Sequence, residues 1–309
     1  PKAVALFKNA GFEVAPLEPY GNRMALLEAI EDVDVLLIRS SFHVDHALLE
    51  RAKKLKYIGR AGAGMEQVDL KAAKALGILC FNSPEGNRDA VAEQAIGMLL
   101  SLWQHLPKAN KEVREGLWDR ISNRGTELMG KTVGIIGLGN TGGQLAKKLQ
   151  GFDVELLAVD PYREQVWPSY VQQVSMEALC QKAHVVSFHV PLTQQTKGMA
   201  SRDWYQKLQQ QPVIINTSRG NVVPTAALLE ALDNAWISGA CLDVLDLEGL
   251  GFEHIGSNSE AKLWQRLIDR SEVLLSPHTA GWTHESWEKI SVILAQKILA
   301  AYTQASNQV

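Results

Sequence analysis

Cysteine is scarce in this 309-residue chain: Cys80, Cys180 and Cys241 lie far apart, in neither CxxC nor CxxH spacing. A disulfide framework and a cysteine-built zinc site are therefore not expected. Cys80 and Cys241 fall within apolar, strand-like runs, where a small buried thiol is the simple role. No apolar stretch reaches the ~18–20 residues of a membrane span. No secretory leader is expected either, which makes the reducing cytoplasm the default compartment. Excess charge is also missing, since 31 Lys+Arg stand against 34 Asp+Glu for a formal net charge of −3. That leaves no electrostatic footprint for nucleic acid, and the one basic run, Lys53-Lys54-Leu55-Lys56, reads as a solvated helix end. The histidines have no metal-ligand spacing such as HExxH, so no metal is expected. Low-complexity tracts and short repeats are absent.

Apolar residues make up 46% of the chain and charged residues 21%, an ordinary globular balance. The length suits two domains. The first residue is Pro1, not Met, and further residues are expected ahead of it. Short apolar runs alternate with helical patterns, the mark of parallel sheets built from βαβ units. In the first third, strands are expected at Glu13–Leu17, Val35–Ile38, Tyr57–Arg60 and Ile78–Phe81. Helices are expected around Asn22–Ile30, Asp45–Lys54 and Leu70–Leu76. A longer helix runs from Arg88 to about Leu106, with Asn87 as a plausible N-cap. Pro107 to Gly130 has no clean period and reads as a flexible connection or an arm packing on a partner. A second alternation places strands at Thr132–Ile136, Glu155–Asp160, Val185–His189, Val213–Asn216, Ala240–Leu242 and Val273–Leu275. A last amphipathic helix spans Glu285 to about Thr303. We expect an α/β protein with two Rossmann-like, doubly wound parallel-sheet domains. One is discontinuous (1–90 with 285–309) and the other covers 91–284.

Gly137, Gly139 and Gly142 form G-x-G-x-x-G directly after an apolar strand and before a helix at Gln144–Leu149. The first glycine suits a tight turn, the second a close backbone approach to a pyrophosphate, and the third close helix–strand packing. The helix N-terminus would offer free N–H groups to phosphate. Eighteen residues past Gly142, a second strand ends in Asp160, where a dinucleotide site places its ribose-binding acid. A carboxylate there repels a 2′-phosphate, so NAD is favoured over NADP. Arg163 reads as surface. A structural or flavodoxin-like sheet is the alternative.

Three further motifs lie past predicted strand ends, the edge where open α/β sheets bind ligands. In Asn216-Thr217-Ser218-Arg219-Gly220, the guanidinium can fork onto a carboxylate and polarise a neighbouring carbonyl. Leu242-Asp243-Val244-Leu245-Asp246-Leu247-Glu248 supplies acids, and Ser276-Pro277-His278-Thr279 supplies an imidazole behind a rigid proline. Reducing a 2-keto acid needs a carboxylate anchor (Arg219), a general acid/base (His278) and a partner that orients the ring and favours the imidazolium (Glu248). Each residue alone has a plainer reading: Arg219 as a salt-bridge partner, His278 as a satisfied structural group, Glu248 as one acid beside Asp246.

The chain resembles the D-isomer-specific 2-hydroxyacid dehydrogenases, and within them the phosphoglycerate subgroup. The motifs that carry the likeness span almost the whole chain. They are Gly59-Arg60-Ala61-Gly62-Ala63-Gly64 through Val68-Asp69-Leu70, Asn82-Ser83-Pro84-Glu85-Gly86-Asn87 through Val91-Ala92-Glu93, Gly137 to Gly142, His189-Val190-Pro191-Leu192, Asn216 to Gly220, Asp243 to Glu248, and Pro277-His278. The resemblance implies that Arg219, Glu248 and His278 are catalytic. It implies NAD contacts at Asn140, Thr141, Asp160, Val190, Pro191, Thr217, Ser218, Asp243 and Gly281, with Ala63 facing the nicotinamide. Backbone amides at Ala61, Gly62 and Gly64 would hold the substrate carboxylate, and Arg39, Arg60 and Arg120 (the last from a partner subunit) would meet a phosphate. A homodimer through the helix and arm at 91–125 is implied too. The implied reaction is NAD-linked oxidation of 3-phosphoglycerate to 3-phosphohydroxypyruvate, the entry to serine biosynthesis. Alternatives are an unphosphorylated acid (glycerate, glyoxylate, lactate) and a non-enzymatic NAD(H)-sensing interaction protein. Two departures stand out. Gly249-Leu250-Gly251 and a longer insertion to Asp269 follow Glu248, where the family usually has proline. The family's opening strand would precede Pro1. With no amino-acid-sensing domain after the last helix, feedback by serine through one is not expected.

Overall fold

The computed structural model describes residues 1–16, 23–39, 43–164, 166–249 and 261–306. The chain divides into two compact units, residues 1–88 with 282–309, and residues 89–281. The α/β class and parallel sheets expected from the alternation are both present.

In the first unit, β1 (Val35–Ile38), β2 (Tyr57–Arg60) and β3 (Leu79–Asn82) form a parallel sheet in sequential order. β2 is buried at every position, as a central parallel strand must be. Among the described residues of the predicted strand Glu13–Leu17, 13–16 join no ladder (Leu17 lies outside them). Pro16 lacks the N–H that such a ladder requires. Helices α1 (Lys2–Asn9), α2 (Arg23–Ala29), α3 (His46–Arg51) and α4 (Leu70–Ala75) accompany the sheet. Asp45 and Asp69 cap the last two through their carboxylates. The final helix of the chain, α12 (His284–Ser306), packs Leu294, Ala295 and Ile298 with Phe7 and Tyr57.

The second unit opens with α5 (Arg88–Trp103), followed by α6 (Leu106–Arg114). The helix expected to about Leu106 thus ends at Trp103, and a second one starts at Leu106. His105 adopts φ +52 between the two, and Pro107 starts α6 in the first turn, where its missing N–H costs nothing. Part of the segment expected to lack regular structure is therefore helical, supported by a Lys108–Glu112 pair. Seven parallel strands follow in the order β10-β9-β8-β7-β4-β5-β6. They are β4 (Thr132–Ile136), β5 (Glu155–Val159), β6 (Gln172–Gln173), β7 (Val185–Phe188), β8 (Val213–Asn216), β9 (Gly239–Leu242) and β10 (Val273–Leu275). Helices α7 (Asn140–Leu149), α8 (Met176–Lys182), α9 (Arg202–Tyr205), α10 (Thr225–Asp233) and α11 (Ala261–Ile268) lie between them. Strand order reverses at β4, whose neighbours are β5 and β7. The loops after β4 and β7 therefore flank a topological switch point, where such sheets bind ligands. Cys180 and Cys241 are buried, and burial pushes both thiols up. No helix among the described residues is long and apolar enough to cross a membrane.

Candidate active site

The loop after β4 is shaped by its glycines. Gly137 turns at φ +90. A Cβ on Gly142 would lie 2.0 Å from the Gly137 carbonyl oxygen, so only glycine lets α7 begin so close to β4. The N-cap of α7, Gly139, provides no side-chain bond, and a Cβ there would meet nothing within 4 Å. The amides of Asn140, Thr141 and Gly142 precede the first intrahelical bond, from Gly143 N–H to Gly139 O. An uncapped helix N-terminus with open space before it suits a pyrophosphate. At the end of β5, Asp160 Oδ2 accepts from Leu138 N–H (2.8 Å) and Oδ1 from Tyr162 N–H (3.1 Å). Each oxygen keeps acceptor capacity for a ribose hydroxyl. Thr217 Oγ1 is buried with no partner, as a group awaiting a ligand would be. The side chain of Val190 closes on Gly137, and Pro191 O is held by Thr196 Oγ1 at 2.6 Å. These residues fit a dinucleotide.

Two polar groups around this loop take places that the sequence does not reveal. Arg163, read as surface, is half-buried. Its guanidinium donates to Leu138 O and Val166 O and lies over the Trp167 ring, which pins the loop. His189 reads in the sequence as a strand end and as part of the family motif His189-Val190-Pro191-Leu192, with no role of its own expected. It is buried, with Nε2 2.8 Å from Ser187 Oγ and Nδ1 3.1 Å from Thr141 Oγ1, and burial lowers its pKa to about 4. The available cue was two polar residues at alternate positions along an otherwise apolar strand.

The three expected catalytic residues follow three adjacent strand ends. β8, β9 and β10 are in register at Asn216↔Leu242 and Leu242↔Leu275. After β8, buried Asn216 ties the turn. Its Oδ1 accepts from Ser218 N–H and Oγ–H, and its Nδ2 donates to Arg219 O. Arg219 Nη1 donates to Ser218 O at 2.7 Å. A Cβ on Gly220 would stand 1.9 Å from the Leu245 carbonyl carbon, so the arginine turn rests directly on the chain that leads to Glu248. Glu248 Oε1 accepts from Leu245 N–H, and Oε2 lies 2.7 Å from His278 Nδ1. With side chains 14% and 23% exposed, the Glu248–His278 pair is largely shielded from water.

The acids beside Glu248 have other work. Asp246 accepts from Thr225 N–H and Oγ–H at the start of α10. Asp243, expected to touch the cofactor, is 2% exposed and accepts from Ser276 Oγ, Thr279 N–H and Ala280 N–H. Its carboxylate thus clamps the turn that carries His278, and does not present an open ligand group. That turn holds His278 at φ +54, a left-handed conformation uncommon outside glycine, with its N–H on Asp243 O (2.8 Å). Residues 250–260 of the insertion lie outside the described residues, while α11 occupies its later part.

In the first unit, Arg60 is buried, and its Nη1 lies where a Cβ on Gly62 would fall. Arg39 stacks on Trp287, 3.9 Å from the ring centroid, with Trp282 beyond. The Ala61 amide, expected to face a substrate, is instead committed to Ile38 O (2.8 Å); Gly62, Ala63 and Gly64 have no such tie on their N–H groups. Asn87 buries an unpartnered Oδ1, which a purely capping residue would not. In the second unit, Arg120 stands exposed on the arm after α6.

The fold and the loop after β4 define a dinucleotide-binding α/β protein. The family model for the NAD-binding domain of D-isomer specific 2-hydroxyacid dehydrogenases matches residues 96–280. The chain belongs to that family. It is 32% identical over 300 residues to a D-3-phosphoglycerate dehydrogenase from Archaeoglobus fulgidus, covering 96% of this chain and 55% of that protein. It is 33% identical over 273 residues to a hydroxypyruvate reductase from Thermotoga maritima, covering 88% and 86%. The D-lactate dehydrogenase of Aquifex aeolicus, solved with NAD and lactic acid, superposes with a TM-score of 0.80 at 25% identity, covering 92% and 87%. The chain spans about half the length of the D-3-phosphoglycerate dehydrogenases it matches.

Proposed function

We propose that the protein interconverts a D-2-hydroxy acid and its 2-keto acid, with NAD as the redox partner. The observation that carries this reading is the shielded Glu248–His278 pair beside the arginine turn. Glu248 fixes Nδ1 of His278, so Nε2 is the nitrogen that exchanges a proton with the substrate oxygen. In oxidation, His278 takes the hydroxyl proton; a bound nicotinamide would supply the hydride chemistry at C2. In reduction, imidazolium returns the proton to the carbonyl oxygen. Arg219 holds the substrate's carboxylate and polarises the adjacent carbonyl. The carboxylate of Asp160 favours NAD over NADP.

Within that class, our reading of the substrate is 3-phosphoglycerate, supported by Arg60 and Arg39 at their family positions. A second reading, an unphosphorylated acid such as glycerate, is favoured by how these arginines are used: one packs under its own loop and the other stacks on tryptophan. Initial rates with NAD on 3-phosphoglycerate, D-glycerate and D-lactate separate the two. The phosphate reading expects the highest kcat/KM for 3-phosphoglycerate, and a preference for glycerate or lactate overturns it. We further propose a homodimer through α5, α6 and the following arm, where Trp118 (79%) and Ile121 (80%) stand exposed.

A further inference from the structure

Three successive residues after β2 are tied to their neighbours in one consistent sense. Ala61 N–H donates to Ile38 O on one side (2.8 Å). On the other, Ser83 N–H donates to Gly62 O (3.0 Å) and Asn82 Nδ2 donates to Ala63 O (2.6 Å). A trans peptide carries its C=O and N–H on opposite sides. Drawing the Gly62 and Ala63 carbonyls toward the end of β3 therefore turns the N–H groups of Ala63 and Gly64 the opposite way. Neither amide has a hydrogen-bond partner among the described residues. Adjacent backbone N–H groups aimed together make an anion-binding concavity, and Gly62, at φ +143, is the residue that permits the bend.

Only one of the two carbonyl ties comes from a side chain. Asn82 is itself held from the last helix of the unit, since Lys297 Nζ donates to Asn82 O (2.9 Å) and to both oxygens of Glu85 (2.8 and 2.9 Å). A lysine on α12 thus braces the end of β3, and the asparagine there sets one peptide plane in the glycine-rich loop.

We infer that Asn82 is a positioning residue for substrate binding: its side-chain amide orients the Ala63–Gly64 peptide so that the Gly64 N–H faces a carboxylate anion, and Lys297 holds Asn82 in that role. The inference rests on the reading that this loop seats the carboxylate of a 2-keto acid. In N82D the donor becomes an acceptor pointed at another acceptor, which drives the peptide out of plane.

The test is binding of oxamate, a stable carboxylate analogue of a 2-keto acid, to the NADH-loaded protein, read by quenching of NADH fluorescence. NADH affinity and melting temperature are measured alongside. N82D is expected to weaken oxamate by roughly tenfold or more, the scale of one hydrogen bond to a charged group. KM for the keto acid should rise in parallel, with kcat less affected and NADH affinity unchanged. K297M should follow N82D, giving a second readout should N82D fail to fold, and K297R should recover binding by keeping both Glu85 and Asn82 O in reach. G62A, whose Cβ would collide with Arg60 Nη1, tests the underlying reading. Oxamate binding untouched by G62A removes the loop as the carboxylate seat. Binding weakened by G62A but not by N82D leaves the seat standing and overturns the role of Asn82. Equal losses of NADH and oxamate affinity in N82D, with a lowered melting temperature, also overturn it in favour of a merely structural part.

Discussion

His189 offers a perturbation whose size follows from its surroundings. The ring is buried between Ser187 and Thr141, and both of its nitrogens already face hydroxyl oxygens. Burial lowers its pKa from 6.5 to about 4. A neutral imidazole donates through one nitrogen and accepts through the other, so it satisfies both hydroxyls uncharged. The unfolded chain binds a proton on this residue near pH 6.5, whereas the folded chain resists until near pH 4. Stability therefore falls on acidification across that window, and below it this group adds no further loss. Between about pH 7.5 and about pH 4.5 the loss comes to roughly 2–3 kcal/mol. His189→Gln keeps a donor and an acceptor but cannot titrate. Guanidinium denaturation of both proteins across this range should show the wild type losing that much more than the variant, since the other titrating groups are common to both. Parallel pH curves for the two proteins would refute the buried-neutral account. Thr141 sits in the first turn of α7, so the variant should also bind NADH more weakly at neutral pH.

Other outcomes follow from the proposed catalytic roles. Arg219→Ala should reduce kcat/KM at least tenfold more than Arg219→Lys, because a point charge keeps the attraction but not the fork; equal losses in steady-state assays would remove the bidentate role. Glu248→Gln should lower kcat by about 10–100-fold with NADH binding intact, as removal of a general-base partner does, and stopped-flow binding with turnover separates the two effects. For the arm, Ile121→Asp places a charge on an exposed apolar position. Light scattering should show wild-type dimers and variant monomers, and an unchanged mass would move the interface elsewhere.

What could be read in the amino-acid order and what could not divide along physical lines. β4, β8 and β10 are visible to the residue because uninterrupted apolar runs between turn signals leave a parallel strand little latitude. Asp160 and the glycines of the loop after β4 are visible because backbone shape and ribose chemistry demand those residue types at that spacing. The break between α5 and α6 is not. It hangs on one left-handed residue, His105, whose identity does not require that conformation. β6, two glutamines long, has no pattern to detect. Arg163 reads as surface in the sequence because a cation three residues past a strand is usually solvated. The carbonyls of Leu138 and Val166 and the Trp167 ring, brought together by the fold, draw it inward.

The acids after β9 show why a motif stops short of a mechanism. Asp243, Asp246 and Glu248 lie within six consecutive positions, and by composition any of them could orient His278. The folded chain separates them by the donors each one meets. Asp243 meets the hydroxyl and amides of the turn before and after His278, so it fixes where that residue stands. Asp246 meets the first residue of α10 and anchors the chain on the far side of the arginine turn. Glu248 is the one of the three whose carboxylate meets the imidazole, through Oε2, while its other oxygen is anchored by Leu245 N–H. That anchor matters chemically. A carboxylate held at one oxygen cannot swing away when the ring changes charge, so the orientation of Nε2 survives both halves of a proton transfer.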